Sequence, residues 1–198
     1  MKYLYVIFAA TVLAASGASG QAKTWKDDPV HSSVQFGVKH MVISEVTGSF
    51  KEFEATVTAS KPDFSDGVFY ATIKTASIST DNAMRDNHLR SDDFLNAEKF
   101  PVITFKSTRV EKNGDDAYKI YGNLTIRDVT KEVVLDAKLN GVIRDPMGTM
   151  RAGFTATTSI NRFDYGVKWN KMIEAGGLVA GDRVNITLNF EFVAPHQT

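Results

Sequence analysis

The chain has no cysteine, only 5 prolines and no surplus of charge: 23 Lys and Arg stand against 23 Asp and Glu over 198 residues. Without cysteine, disulfide scaffolds, thiol catalysis, zinc ribbons and iron–sulfur clusters are excluded. Without excess Lys and Arg, nucleic-acid binding lacks its main source of affinity, the phosphate contacts. Beyond the first twenty positions, no apolar run approaches the ~20 residues that a membrane-spanning helix needs. There is no G-x-S-x-G, no H-E-x-x-H, no Gly-rich phosphate loop and no acidic calcium loop, so no cofactor, metal or catalytic signature stands out. An apolar content of 43% with 23% charged residues excludes general disorder. What the chain does have in quantity is Phe, at 13 residues.

Lys2 is the only charge before an apolar run from Tyr3 to Ala15, and Ser16, Gly17, Ala18, Ser19 and Gly20 follow. A positive start, an apolar centre and a small-residue end make residues 1–20 a secretory signal peptide, cleaved near Gly20. The remaining 21–198 lack any linker, repeat or low-complexity tract and are expected to form one domain. With such a leader, a periplasmic location in a Gram-negative cell (or secretion) is the expectation. No cysteine follows the leader to carry a lipid anchor.

Alternation with period two dominates the rest. In the last segment Val184, Ile186, Leu188, Phe190 and Phe192 share one face, and Asn185, Thr187, Asn189 and Glu191 the other. The same pattern runs through Tyr118–Ile126, Val133–Leu139, Ala152–Ile160, Val34–Val38 and Val46–Phe50, with weaker strands over Val68–Lys74 and Val102–Ser107. Asn113-Gly114 reads as a tight hairpin turn, and Asp145-Pro146-Met147-Gly148 as a type I turn. Asn82–Arg90 is the one helical segment, with Asp81 or Thr80 as its N-cap, and a further short turn falls at Met41–Ser44. About eight antiparallel strands joined by short turns predict an all-β fold, a closed barrel or a sandwich, since closure removes exposed edges. A lipid-facing outer-membrane barrel is disfavoured, because Tyr and Trp are too few and too scattered for interfacial girdles.

Four segments go beyond periodicity: HSSVQFGVKH with SEVTGSFKEFEATV (31–40, 44–57), MRDNHLRSDDFLNAEKFPVITFKST (84–108), YGNLTIRDVTKEVVL (121–135), and INRFDYGV (160–167) with a later GDRVNITLNFEF. In this order and spacing they resemble the YceI-like family of exported lipid-binding proteins, from about Trp25 to Val193. The run from His88 to Phe105 is the most specific part, and Leu95 stands where the family often has a second Phe. The resemblance implies an extended lipocalin-like antiparallel β-barrel of about eight strands with one short helix. It also implies that the interior holds a long apolar chain, a polyisoprenoid or related lipid.

Period two alone does not choose between a hollow and a solid barrel; the resemblance implies a hollow one. Its proposed lining is Phe36, Val38, Phe50, Phe105, Leu124, Ile126, Leu135, Phe154, Leu188 and Phe190, with His40 inward by parity near one rim. Burying ten CH₂ groups gives on the order of 8 kcal/mol gross, against an estimated cost of about 4 kcal/mol or more for lost translational and rotational freedom. Only a long chain therefore binds tightly without polar help. Arg85, Asp86, His88, Arg90, Asp92 and Asp93 read as a capped helix and loop covering one end of the barrel, in which Asp86 and Arg90 are spaced to pair. Arg85 or Arg90 is the candidate to meet a ligand headgroup at the mouth. His31 and His40, nine apart, do not form a metal pair. The expectation is therefore a carrier of one long-chain isoprenoid or acyl lipid, not an enzyme, with no cofactor and no nucleic-acid partner; a homodimer is left open. The rivals are an enzyme acting on a hydrophobic substrate with His40 or His88 as general base, and a solid-cored stress or interaction protein.

Overall fold

The computed structural model describes residues 21–172 and 177–195; the leader assigned to residues 1–20 lies outside them. Among the described residues the alternating segments become β1 (Lys23–Asp27), β2 (Ser33–His40), β3 (Ser44–Phe50), β4 (Phe53–Ala59), β5 (Val68–Lys74) and β6 (Ile78–Ser79). Helix α1 (Ala83–Arg90) follows, then β7 (Val102–Lys112), β8 (Ala117–Ile126), β9 (Val129–Arg144), β10 (Met150–Asn161) and β11 (Ala180–Val193). All pairings are antiparallel, in the order β1-β4-β5-β7-β8-β9-β10-β11, and β1 pairs back onto β11. These eight strands close a barrel, one of the two closures that the alternation allows and the one that the family resemblance implies.

β11 is long enough to serve two neighbours along one edge. Its end pairs with β1 through Lys26↔Val193 and Asp27↔Phe192, while Val184–Asn189 pair with β2. The β2–β3 ribbon, capped by β6, thereby extends the wall past the point where the barrel closes. Three strands go beyond the expected set: the two-residue β6, β4 and β1. β4 alternates Phe53, Ala55, Val57 and Ala59 inward, with alanines weakening its apolar signal, and β1 alternates with only Trp25 as a large residue. β7 continues to Lys112 across a register shift between Ser107 and Arg109. There the Ser107 hydroxyl turns inward and accepts the Phe69 N–H at 2.8 Å.

Three local expectations need correcting. The helix is capped by Asn82, whose side chain accepts the Arg85 N–H at 3.0 Å; Asp81 adopts a left-handed conformation just before it. Asp86 does not pair with Arg90 but turns back to accept the Thr80 N–H at 2.8 Å. Asn113-Gly114 belongs to a longer loop, closed by the Asn113 N–H on the Ala117 carbonyl at 2.7 Å. The Asp145–Gly148 turn forms as expected, with the Gly148 N–H on the Asp145 carbonyl at 2.9 Å.

One end of the barrel is packed solid. Trp25 meets Phe64 edge-on at 5.2 Å, Phe64 meets Phe154 at 5.3 Å, and Phe154 lies 5.5 Å from Phe69 and 5.9 Å from Phe192. Such edge-to-face contacts add to the burial of the rings themselves. An ion-pair knot clamps this end: Arg151 bonds Asp28 and Asp145 at 2.9 Å each, and also Glu191. The His31 and Arg151 hydrogen bonds hold the Asp28 carboxyl far below its usual range, and Arg151 likewise lowers Asp145. Depressed carboxylates contribute stability that is present above their unfolded pKa of about 3.9 and is lost as pH falls towards the folded value. Asp27, raised by burial, works the other way and offsets part of the effect. Thermal melts followed by circular dichroism are therefore expected to show a midpoint steady from pH 8 to about 5 and falling below about pH 4. Arg151→Met should lower the midpoint at pH 7 and flatten that acid limb. An acid limb of unchanged slope in the variant would assign it to other carboxylates.

Candidate functional site

The other half of the barrel is hollow. A cavity of about 400 Å³ runs inside it, walled by inward positions of β2–β5 and β7–β11. Two features leave this space. The inward positions of β4, β5, β9 and β10 include Ala55, Ala71, Ala137 and Ala156, and Ala156 pairs across the sheet with Ala137. Moreover, the inward side chains of β11 from Val184 to Phe190 are only half-buried, because they face this space and not packed atoms. A cavity of this size counts against the solid-cored rival: the aromatic plug fills one end only.

The ten apolar side chains singled out in the sequence all stand on this wall. Phe36 and Val38 come from β2, Phe50 from β3, Phe105 from β7, Leu124 and Ile126 from β8, Leu135 from β9, Phe154 from β10, and Leu188 and Phe190 from β11. Their inward alternation, continued across seven strands, makes them neighbours despite their separation in sequence. His40, at the end of β2, lines the cavity where exposed Lys39, Arg85 and His88 also contribute, so here the space meets solvent.

The polar groups at this mouth are mostly committed. Arg85 donates from Nε to the Thr80 hydroxyl at 2.7 Å and from Nη2 to the Thr80 carbonyl at 2.9 Å. That hydroxyl donates in turn to buried Asp86 at 2.5 Å. Burial alone would raise the Asp86 carboxyl, but the Thr80 hydrogen bonds and nearby Arg90 and Arg85 hold it below the usual carboxylate value. Arg90 does not reach the cavity: its guanidinium donates to the carbonyls of Ala76 at 2.7 Å and Ile78 at 2.8 Å, tying α1 to the β6 segment. His88 bonds Asp93 through Nε2 at 2.8 Å. Its ring meets Phe94 edge-on at 4.9 Å and Trp169 at 5.4 Å, forming an aromatic wall beside the opening. The segment most specific in the sequence therefore builds the mouth.

Other lining groups carried no signal in the alternation. Arg162 sits on a short 3₁₀ turn after β10 and is buried, yet no carboxylate lies in ion-pair range among the described residues. Three carbonyls take its place: Val167 at 2.7 Å, Gly181 at 2.8 Å and Ala180 at 2.9 Å. Burial lowers its pKa but leaves it a cation at neutral pH. Burial pushes Tyr165 up to about 12, so its phenol stays neutral. Leu89, Phe94, Val167 and Trp169 complete the mouth from outside the strands. At the plugged end, Asp28, His31 and Glu191 bring ligand atoms within 4.8 Å of one another. Arg151 already engages both carboxylates, which makes this an ion-pair knot and not a metal centre.

With this geometry in place, the comparisons with known proteins are specific. The model of a family described as the YceI-like domain matches residues 25–192. The Staphylococcus aureus (strain N315) protein named UPF0312 protein SA2479 is 40% identical over 166 residues, covering 83% of this chain and 94% of its own. The YceI protein of Campylobacter jejuni superposes with a TM-score of 0.69 at 34% identity, over 80% of this chain and 90% of that one. Two more distant structures share the fold. BcnA of Burkholderia cenocepacia gives a TM-score of 0.71 at 24% identity, over 85% of this chain and 99% of that one. A domain from Saccharophagus degradans, described as polyisoprenoid-binding and implicated in plant cell wall breakdown, gives 0.65 at 16% identity, over 88% and 100%.

Proposed function

Because the chain belongs to the YceI-like domain family, we propose that it is a carrier that takes one long-chain isoprenoid or acyl lipid into its barrel. One observation carries this reading: a cavity of about 400 Å³ whose wall is built from Phe, Leu, Ile, Val and Ala on paired strands. Water in such a space has few hydrogen-bond partners, so an apolar chain gains by displacing it. The cationic and polar groups gather at the open end, which orients an amphiphile with its tail towards the aromatic plug. Of the two arginines on α1, Arg85 is the candidate to meet the headgroup, since it lines the cavity while Arg90 is held away from it by backbone carbonyls. The likeness of fold to a domain described as polyisoprenoid-binding agrees with this reading. Export to the periplasm, or secretion, belongs to the same proposal and rests on the leader pattern of residues 1–20.

The test is direct. Protein recovered from cells under native conditions is extracted with organic solvent, and the extract is analysed by mass spectrometry. An isoprenoid or acyl lipid near one per chain is the expected result. Empty extracts, even after incubation with candidate isoprenoids, would overturn the carrier reading.

A further inference from the structure

The β2–β3 turn is built from the wrong residues for a turn. Met41 and Val42 both adopt left-handed conformations, with φ of 48° and 67°. Positions of this kind favour Gly, Asn or Asp, and a β-branched residue there is an outlier. Ile43 follows, 88% exposed, while Val42 is 65% and Met41 40% exposed. A polar turn would relieve the strain and the exposure together, so the apolar character of this tip does not serve the turn.

Its place in the fold suggests what it serves. The Met41 N–H bonds the Val179 carbonyl, and the Val179 N–H bonds the Lys171 carbonyl, each at 2.9 Å. Met172, 69% exposed, bridges to Leu178 beside them. Apolar tip and exposed Met172 thus flank the stretch where Lys39, His40, Trp169, Val179 and Ala180 line the cavity mouth. Lys168 and Lys171 are exposed here and have no ion-pair partner among the described residues; Glu45 is taken by Lys39 at 3.8 Å. Apolar side chains projecting beyond a basic rim are the pattern by which a protein surface inserts into an interface carrying anionic headgroups.

We propose that the Met41–Val42–Ile43 tip, with Met172, Lys168 and Lys171, docks the cavity mouth onto an anionic lipid bilayer. This rests on the carrier reading and deepens it: a mouth seated on the bilayer lets a chain pass between membrane and barrel without crossing water.

The experiment uses flotation with vesicles of phosphatidylethanolamine and phosphatidylglycerol, against vesicles of phosphatidylcholine. The protein is taken as recovered from cells, its N-terminus read by mass spectrometry. Occupancy of the barrel is followed separately by the fluorescence of 1-N-phenylnaphthylamine, and self-association by sedimentation velocity. Ile43→Asp, and Lys168→Glu with Lys171→Glu, are each expected to weaken anionic-vesicle binding by about tenfold or more while leaving dye binding unchanged. Ile143→Asp, on the exposed tip at the plugged end, is the control and should change neither. Wild-type protein that ignores anionic vesicles, or binds neutral ones equally, overturns the proposal. Loss of binding in Ile143→Asp alone overturns it as well. So does a wild-type dimer that Ile43→Asp converts to monomer with no effect on vesicles, which would assign the tip to a second copy. Dye binding without vesicle binding leaves the carrier reading standing and docking refuted. Vesicle binding that follows the variants, without dye binding, does the reverse.

Discussion

Ala156→Phe is expected to empty the barrel. Ala156 sits midway along β10, opposite Ala137 on β9 and Leu188 on β11, with its methyl on the cavity wall. The six added ring carbons occupy space that the cargo would otherwise fill. At about 0.8 kcal/mol per buried CH₂, displacing roughly six chain carbons removes about 5 kcal/mol of burial, more than a thousandfold in affinity. The ring enters a void and not packed atoms, so the fold should be as stable as before, unlike an overpacked core. Extraction and mass spectrometry should find the variant empty, and its melting midpoint should equal or exceed that of the delipidated wild type. Thr157→Phe, one residue on and facing out, is the matched control and should keep its cargo. Full cargo in Ala156→Phe would place the chain elsewhere than in this cavity.

Arg162→Met is expected to be the most destabilising single change near the mouth. It keeps much of the apolar stem and removes the donors for the Val167, Ala180 and Gly181 carbonyls. Each buried acceptor left unpaired costs about 1–3 kcal/mol. With partial relief from water at the mouth, a loss of about 3 kcal/mol or more follows, or roughly 10 °C in Tm for a domain of this size. Arg162→Lys, whose ammonium is a compact point charge and not a planar fork, should fall between the two. Melts by circular dichroism decide the matter. A Met variant that melts with the wild type would mean that the three carbonyls find other donors.

Much of the architecture was legible in the chain because a barrel imposes one simple demand: every second residue must be apolar. The face of Val184, Ile186, Leu188, Phe190 and Phe192 is the cavity side of β11, and the same rule placed the other wall positions. Whether that wall encloses space was not legible, for a physical reason. Hollowness depends on Ala137 meeting Ala156 at one level of the sheet, a cross-strand pairing that neither segment reveals alone. β4 escaped notice because Ala55 and Ala59 mute its alternation, and β1 because barrel closure, not apolar content, holds it. Arg162, and the carbonyls that hold Arg90 away from the mouth, were beyond reach for another reason. A guanidinium bound to backbone carbonyls needs no partner residue type, so nothing in the sequence marks its site. The helix was found but its cap was misplaced by one or two residues, since Thr80, Asp81 and Asn82 are all competent caps.

The closing pair of strands has a consequence for when this protein can fold. β1 and β11 lie at opposite ends of the described chain and meet at two paired positions, Lys26↔Val193 and Asp27↔Phe192. Pairing so remote in sequence carries the largest loop-closure cost and forms slowly. Before β11 is made, β10, β1 and β2 all lack their shared partner, and the β2–β3 ribbon has nothing to extend. No prefix of the polypeptide is a finished barrel. β11 must be made before the wall can close, so the barrel sets late and nearly all at once.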